Sequence, residues 1–398
     1  MTAKAFDALV TDAYLRQSLV TVRSLGRREL AVAALEAFSP VPAFSSRWCL
    51  GGFVCPAPAG TDDYLGCLEE VLEHTRAQVL IPMSDGTIAL LRRHRARVEQ
   101  RVRIALAKEP ALAIAVNKER TLAIAGRLGV AIPPGLVVRA ESQVPAAVRD
   151  IGLPAVIKPS ESWVGDEHRA VRLDPRLATT AEEARSAVAD IARFGGVALY
   201  QEFIHGRRES IHLLYARGRI HTRVAQWAKR MRPPWGGESV LRQSIAVPAD
   251  IGAQAERLVR EIDLEGYSEV EFLRDRGGVP YLMELNPRLS ASVEIAVRSG
   301  VDFPYLFYQW ARGGPIDTVD GYRVGSWMRY LQGDLWTTIA ALRQHGRPGV
   351  TPPIQAILNF GLAFLRPTGY DCADWRDPLP AVKAVADMAR FSARRFRG

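Results

Sequence analysis

The stretch Ser268 to Arg288 (SEVEFLRDRGGVPYLMELNPR) concentrates the chemistry of this chain. Two alternating runs flank Asp275-Arg276-Gly277-Gly278, the composition of a hairpin turn. Successive strand residues point to opposite faces. An even-length loop therefore puts Glu271 on the same face as Leu282, Glu284 and Asn286, with Val270, Phe272, Tyr281 and Met283 on the other. Two carboxylates held close in a partly buried site repel, and one takes up a proton unless a cation neutralises them. Hard oxygen donors without His or Cys suit Mg²⁺ or Mn²⁺, which keep waters and bridge substrate phosphates. Arg288 follows Pro287, whose ring fixes the backbone, and a guanidinium there can steady a transferring phosphoryl group or clamp a carboxylate. The plainer reading of Glu271 and Glu284 is the charged outer face of an amphipathic hairpin.

A second signal is compositional. Only six of the 52 basic residues are Lys: Lys4, Lys108, Lys118, Lys158, Lys229 and Lys383. A Lys that survives in so Arg-biased a chain is a candidate for a role that needs an ammonium.

These residues need elements to position them. Residues 5–11 form an apolar run before a helix with Leu15, Leu19, Val22 and Leu25 in register, closed by Gly26. The pattern resumes at Leu30–Ala34, at a helical stretch Asp62–His74 and at the strand Gln78–Ile81, so the first hundred residues read as a doubly wound parallel sheet. No G-x-G-x-x-G follows the first strand, which argues against a dinucleotide-dependent enzyme. From about 136 to 202, strands Leu136–Arg139, Pro154–Lys158, Ala170–Leu173 and Val197–Glu202 alternate with helices Gln143–Ile151 and Thr180–Phe194, a small α+β unit sized as a lid. The block from 203 to 320 is strand-rich, with a long polar loop expected at Arg230–Arg242, and 321–398 reads as mainly helical.

Bulk properties exclude several classes. With 48% hydrophobic and 24% charged residues the chain is globular, and no stretch approaches a membrane span. Cys49, Cys55, Cys67 and Cys372 include no C-x-x-C pair and are too sparse for a disulfide framework, which makes a reducing cytoplasm the simplest location. The net charge of +9 comes from 52 basic and 43 acidic residues mixed along most of the chain, so no nucleic-acid partner is expected. The exception is the last nine residues, where Arg390, Arg394, Arg395 and Arg397 stand without an acid; this reads first as a frayed basic end, second as a membrane-surface or acidic-partner contact.

Several motifs occur in a fixed order: Asn117-Lys118-Glu119-Arg120-Thr121, Leu128-Gly129-Val130-Ala131-Ile132-Pro133, Val156-Ile157-Lys158-Pro159, Tyr200-Gln201-Glu202-Phe203-Ile204-His205-Gly206 with Glu209, then Glu271 and Glu284-Leu285-Asn286-Pro287-Arg288. In this order the chain, from about residue 5 to 310, resembles the ATP-grasp enzymes, in the branch of carbamoyl-phosphate synthetase, biotin carboxylase and the amino-acid ligases. The resemblance implies an α/β and α+β fold. A pre-ATP-grasp Rossmann-like, doubly wound parallel-sheet domain (1–112) would precede an ATP-grasp domain (113–320, lid about 136–200) and a mainly helical segment (321–398). It implies that Lys118 and Lys158 reach nucleotide phosphates, that Gln201, Glu202 and Ile204 receive adenine, and that Glu209 meets the ribose hydroxyls. Glu271, Glu284 and Asn286 carry over as Mg²⁺ (or Mn²⁺) ligands, Arg288 as the catalytic or substrate-binding Arg, and Lys229 or Arg230 as a basic residue for the γ-phosphate. The resemblance departs at the lid loop, Ser160-Glu161-Ser162-Trp163-Val164-Gly165-Asp166, which has one glycine where family members carry a Gly-rich turn.

The implied activity is an ATP-dependent carboxylate–amine ligase. It would form an amide or peptide-type bond through an acyl phosphate, with small-molecule carboxylate and amine substrates, amino acids among them, and pairing into a homodimer as relatives often do. The alternatives are a bicarbonate-activating carboxylase or carbamoyl-phosphate-type enzyme, although no biotin carrier segment, glutaminase or paired-domain repeat is recognisable, and a non-catalytic ATP-binding regulator.

Overall fold

The structure is a computed structural model that describes residues 5–57, 61–165 and 170–384. Short apolar runs form the first sheet: β1 (Ala8–Val10), β2 (Val32–Glu36), β3 (Cys49–Val54), β4 (Val79–Ile81) and β5 (Arg103–Ile104). All pairs are parallel, in the order β3-β2-β1-β4-β5. Such a sheet must be covered on both faces. Leu9, Ala33 and Leu80 pack to one side, and Ala8, Val10, Val32, Val79 and Ile81 to the other. The βα turn after β4 opens the helix Asp85–Arg93, capped by Ser84, whose side chain accepts from the Thr87 N–H. One expectation is corrected here: Cys55, just after β3, and Cys67, in the helix Thr61–Thr75, are joined by a disulfide with Cα atoms 5.7 Å apart. Sequence spacing cannot reveal that strand end and helix face meet, and the bond removes the cysteine count as an argument for a reducing compartment.

The lid consists of β6 (Gly135–Val138), β7 (Ala155–Pro159), β8 (Trp163–Gly165), β9 (Ala170–Arg172), β10 (Arg176–Ala178) and β11 (Ala198–Glu202). Strands β10-β7-β11-β6 make one antiparallel sheet, and β8 and β9 a separate ribbon. Ala155, Ile157, Ala198 and Tyr200 face the lid's own core against helices Val144–Ile151 and Ala181–Ala192. Alternation then sends Val156, Lys158, Leu199 and Gln201 to the opposite face.

The large sheet holds β12 (Gly206–Ala216), β13 (Arg219–Arg232), β14 (Glu238–Ile245), β15 (Gly266–Asp275), β16 (Pro280–Asn286), β17 (Trp327–Arg329) and β18 (Thr368–Tyr370), ordered β16-β15-β12-β13-β14-β17-β18. One face is apolar: Ile211, Leu213, Val270, Phe272, Leu282 and Leu285 pack with Leu122 and Ala125 of the helix Lys118–Arg127 and with Ala255 and Leu258 of the helix Ala249–Glu261. The expected long loop at 230–242 is instead mostly strand, because β13 and β14 continue to within a five-residue turn at Pro233–Gly237. The segment after 320 carries the helices Leu331–Arg343 and Pro353–Leu362 and adds two strands to this sheet. The arginines at 390–397 lie outside the described residues. Among the described residues no helix is long and apolar enough to cross a membrane.

Candidate active site

The ribbon β15–β16 brings the acidic residues together. Glu271 stands directly opposite Glu284, and Glu269 opposite Asn286, so all four share one face. A bulge between Glu271 and Phe272 makes Met283 the extra residue on β16 and pairs Leu282 with Phe272. Leu282 therefore lies on the apolar face, not beside Glu284 as simple alternation predicted. Glu269 was missed, although it sits two residues before Glu271 and shares its face by the same alternation.

Basic groups surround these oxygens. Arg208 of β12 reaches Glu271 at 2.5 Å, and the Asn286 amide donates to the same carboxylate at 3.0 Å. Lys118, at the first turn of its helix, meets Glu284 at 3.2 Å and the Ser162 hydroxyl at 2.9 Å. Lys158 comes down from the lid and donates to the Met283 carbonyl at 3.3 Å. Arg288 holds Asp85. Arg208 and Asp85 escaped sequence reasoning, since the partner register of β12 is not written in its own residues. The Ser84 cap at a βα turn, where open sheets bind ligands, was the available signal for Asp85.

The protonation states follow from burial and charge. Burial raises the Glu271 carboxyl; Arg208 opposes this while Glu269 and Glu284 add to it, and the result stands at about 8. Burial also acts on Glu284, but Lys118, Lys158 and Arg208 overcome it and hold this carboxyl below its ordinary value. Burial pushes the Lys158 ammonium down to about 7 despite Glu284. Beneath the ribbon, Glu269 accepts from Ser292 at 3.0 Å and Gln226 at 3.4 Å. His212 beside it is neutral, its pKa driven to about 3 by burial and then by Arg242.

A cleft lies between the lid, the ribbon and the amino-terminal domain, lined by Asp85, Lys118, Ser162, Trp163, Glu284 and Asn286 among others. The lid touches the far wall: a Cβ on Gly86 would stand 3.0 Å from the Trp163 ring, so this close approach favours glycine. Glu161, which would repel phosphate if it faced the cleft, instead accepts from the Asn117 amide at 3.0 Å.

Not every expected residue joins this group. Gln201 is buried on the lid face shared with Lys158, and its Oε1 has no hydrogen-bond partner. Glu202 is exposed and Ile204 half-buried in the hinge between β11 and β12. Glu209 is buried on the opposite face of the large sheet, held by Arg207 and by Arg274 at 2.9 Å. Its register, one residue out of phase with Ser210 opposite Glu271, turns it away from the acidic cluster. Lys229 falls at a bulge of β13 beside Arg366 and Arg230, apart from the cleft. Arg230 is committed to Asp334 at 2.6 Å.

A family model described as ATP-grasp in the biosynthetic pathway with Ter operon matches residues 197–332. The D-alanine–D-alanine ligase of Alkalilimnicola ehrlichii is 27% identical over 216 residues, 50% of this chain and 65% of its own length. Residues 197–332 thus match an ATP-grasp family. Two solved structures share the ATP-grasp fold. The biotin carboxylase domain of the Hydrogenobacter thermophilus 2-oxoglutarate carboxylase, in complex with MgADP and bicarbonate, superposes with a TM-score of 0.64 at 15% identity, over 81% of this chain and 74% of that one. The L-amino acid ligase from Bacillus licheniformis superposes at 0.58 and 17% identity, over 79% and 76%. The match to the Alkalilimnicola ligase covers just under two thirds of that relative's length.

The cleft can be tested for a divalent cation. Among the described residues no three carboxylate, imidazole or thiolate side chains converge as around a bound metal. The donors present are two facing carboxylates and a carboxamide, hard oxygens that suit Mg²⁺, and burial with the neighbouring carboxylates Glu269 and Glu284 raises the Glu271 carboxyl despite Arg208. The residues fit such an ion.

Proposed function

We propose that this chain is an ATP-dependent carboxylate–amine ligase that releases ADP and phosphate. The observation that carries this reading is the pairing of Lys118 with Glu284 in a cleft beneath the lid, with Lys158 on the adjoining Met283 carbonyl and Arg288 on Asp85 of the cleft wall. The ligase names of the curated relatives support it. We place domain boundaries at 112/113 and 320/321.

In this reading the adenine lies at the hinge 201–204, where the unpartnered Gln201 Oε1 is free to accept an amine proton. Lys158 and Lys118 follow the phosphates as point charges. Glu271, Glu284 and Asn286 would hold a magnesium ion, which supplies charge neutralisation at the triphosphate. The substrate carboxylate attacks the γ-phosphorus; the new P–O bond forms as the bond to ADP breaks, leaving an acyl phosphate. Arg288 steadies the transferring charge, and Asp85 fixes its plane. A neutral amine then attacks the acyl carbon, a C–N bond forms, the C–O bond to phosphate breaks, and the nitrogen loses a proton. The closed lid, with Trp163 seated on Gly86, keeps water from the intermediate.

The test is ADP formation with panels of carboxylates and amines, D-alanine first, followed by mass spectrometry. ADP release that needs both partners, with a condensed product, supports the ligase. Release driven by bicarbonate alone favours a carboxylase, and Mg-ATP binding without stimulated release favours a regulator.

A further inference from the structure

Glu269 is more deeply buried than Glu271 or Glu284. On the large sheet Ser210 stands opposite Glu271, His212 opposite Glu269 and Gln226 opposite Ser210, so these side chains share one face. Glu269 and Gln226 are 5 and 4% exposed. The Ser292 hydroxyl, the Gln226 amide and the His212 ring, at 3.0, 3.4 and 3.5 Å, all converge on Oε1 of Glu269. Its Oε2 meets no donor among the described residues. The Gln226 nitrogen donates also to Ser210 at 3.0 Å and to Ser292 at 2.7 Å, while the buried Oε1 of the same amide has no partner.

Buried acceptors without donors cost free energy that the donors of a ligand recover. The cations of the protein are committed elsewhere. Arg208 binds Glu271 and Arg288 binds Asp85, and the His212 ring is neutral. Ser292 is held at 3.0 Å by Ser290, which meets Tyr267 at 3.2 Å, so the acceptors are set in place before anything binds. An ammonium, compact and with three donors, matches them. Held on a carboxylate it keeps its proton and offers no lone pair, so it is not the attacking amine. Glu269 stands one two-residue step, about 7 Å, along β15 from Glu271, the carboxylate assigned to the magnesium ion. The ammonium therefore belongs to the acid that is phosphorylated beside that carboxylate.

We propose that Glu269 and Gln226 bind a non-reacting ammonium of the acid substrate, which makes this acid an amino acid. The inference rests on the ligase reading and gives it a substrate class and a specificity residue.

The experiment measures ADP release from the full chain with hydroxylamine as the common amine, so that only the acid varies. L- and D-amino acids are each set beside their desamino acid, such as alanine beside propionate and phenylalanine beside 3-phenylpropionate. The best amino acid is expected to exceed its partner at least about tenfold in kcat/KM. Glu269→Gln should raise the KM for that amino acid by about tenfold to a hundredfold and leave the KM for ATP and for the desamino acid within about twofold. Gln226→Leu, which leaves Glu269 in place, should weaken the same preference by a smaller factor. Equal use of desamino acids overturns the inference while the ligase reading stands. So does a Glu269→Gln variant whose magnesium requirement changes in place of its amino-acid KM, which makes Glu269 a metal ligand. If no acid releases ADP, the ligase reading falls by itself, and calorimetry on the Mg-ATP-bound protein decides this site. Amino-acid uptake lost in Glu269→Gln supports it, and no uptake across the panel overturns it.

Discussion

Arg288 grips Asp85 through both carboxylate oxygens, at 2.5 and 3.1 Å, across 203 residues of chain. The contact ties the residue that follows the acidic ribbon to the first turn of a helix in the amino-terminal domain. The guanidinium is thus aimed across the cleft by the opposite wall.

Replacing Asp85 with Asn should uncouple that orientation. Burial works against the Asp85 charge, but Arg288 prevails and holds the carboxyl at about 2. Its stabilisation is present above the ordinary carboxylate value and lost as pH falls through about 2. Asp85→Asn should cost roughly 1–3 kcal/mol in urea unfolding at neutral pH. It should also lower kcat more than it raises the KM for ATP. An unchanged kcat removes the positioning role.

Glu271 titrates the other way. Because burial raises its folded-state pKa, its contribution to stability is complete below the ordinary carboxylate value and lost as pH rises through about 8. The melting temperature of the ATP-free protein should fall over that window, and Glu271→Gln should flatten the fall. Magnesium uptake with ATP at pH 7 should release close to one proton, read by calorimetry in buffers of different ionisation enthalpy. Buffer-independent heats count against Glu271 as a ligand.

Lys158 gains its charge as pH falls through about 7. The kcat/KM for ATP, which reports the free enzyme, should therefore decline above that pH. Lys158→Arg should lower it by roughly 10² and flatten the alkaline limb, since a guanidinium stays charged but does not follow the same oxygens. Wild-type kinetics in this variant exclude Lys158 from the phosphates.

Two further substitutions separate the cleft from its surroundings. Glu284→Gln should abolish turnover with little change in melting temperature. Lys229→Ala, at the bulge of β13, should leave turnover within about twofold, as for surface changes remote from a site. The reverse pattern of activities dismantles the assignment.

The acidic ribbon was legible because a hairpin turn and a two-residue period are local, and they brought Glu271, Glu284 and Asn286 to one face. Leu282 was misplaced because a bulge shifts the period by one residue at a point no residue type announces. The pairing of Glu209 with Arg274 was likewise not legible, since it depends on the register of β12 with β15.

The alternation of strands and helices in the first two hundred residues, the scarce lysines and the ligand-type residues of the hairpin follow from the sequence alone, because propensity, periodicity and composition act over a few neighbouring residues. The disulfide between Cys55 and Cys67, the clamp of Arg288 on Asp85 and the raised carboxyl of Glu271 were decided only by the tertiary structure. Each depends on distance and burial between segments far apart in the chain, and those are set when the sheets pack.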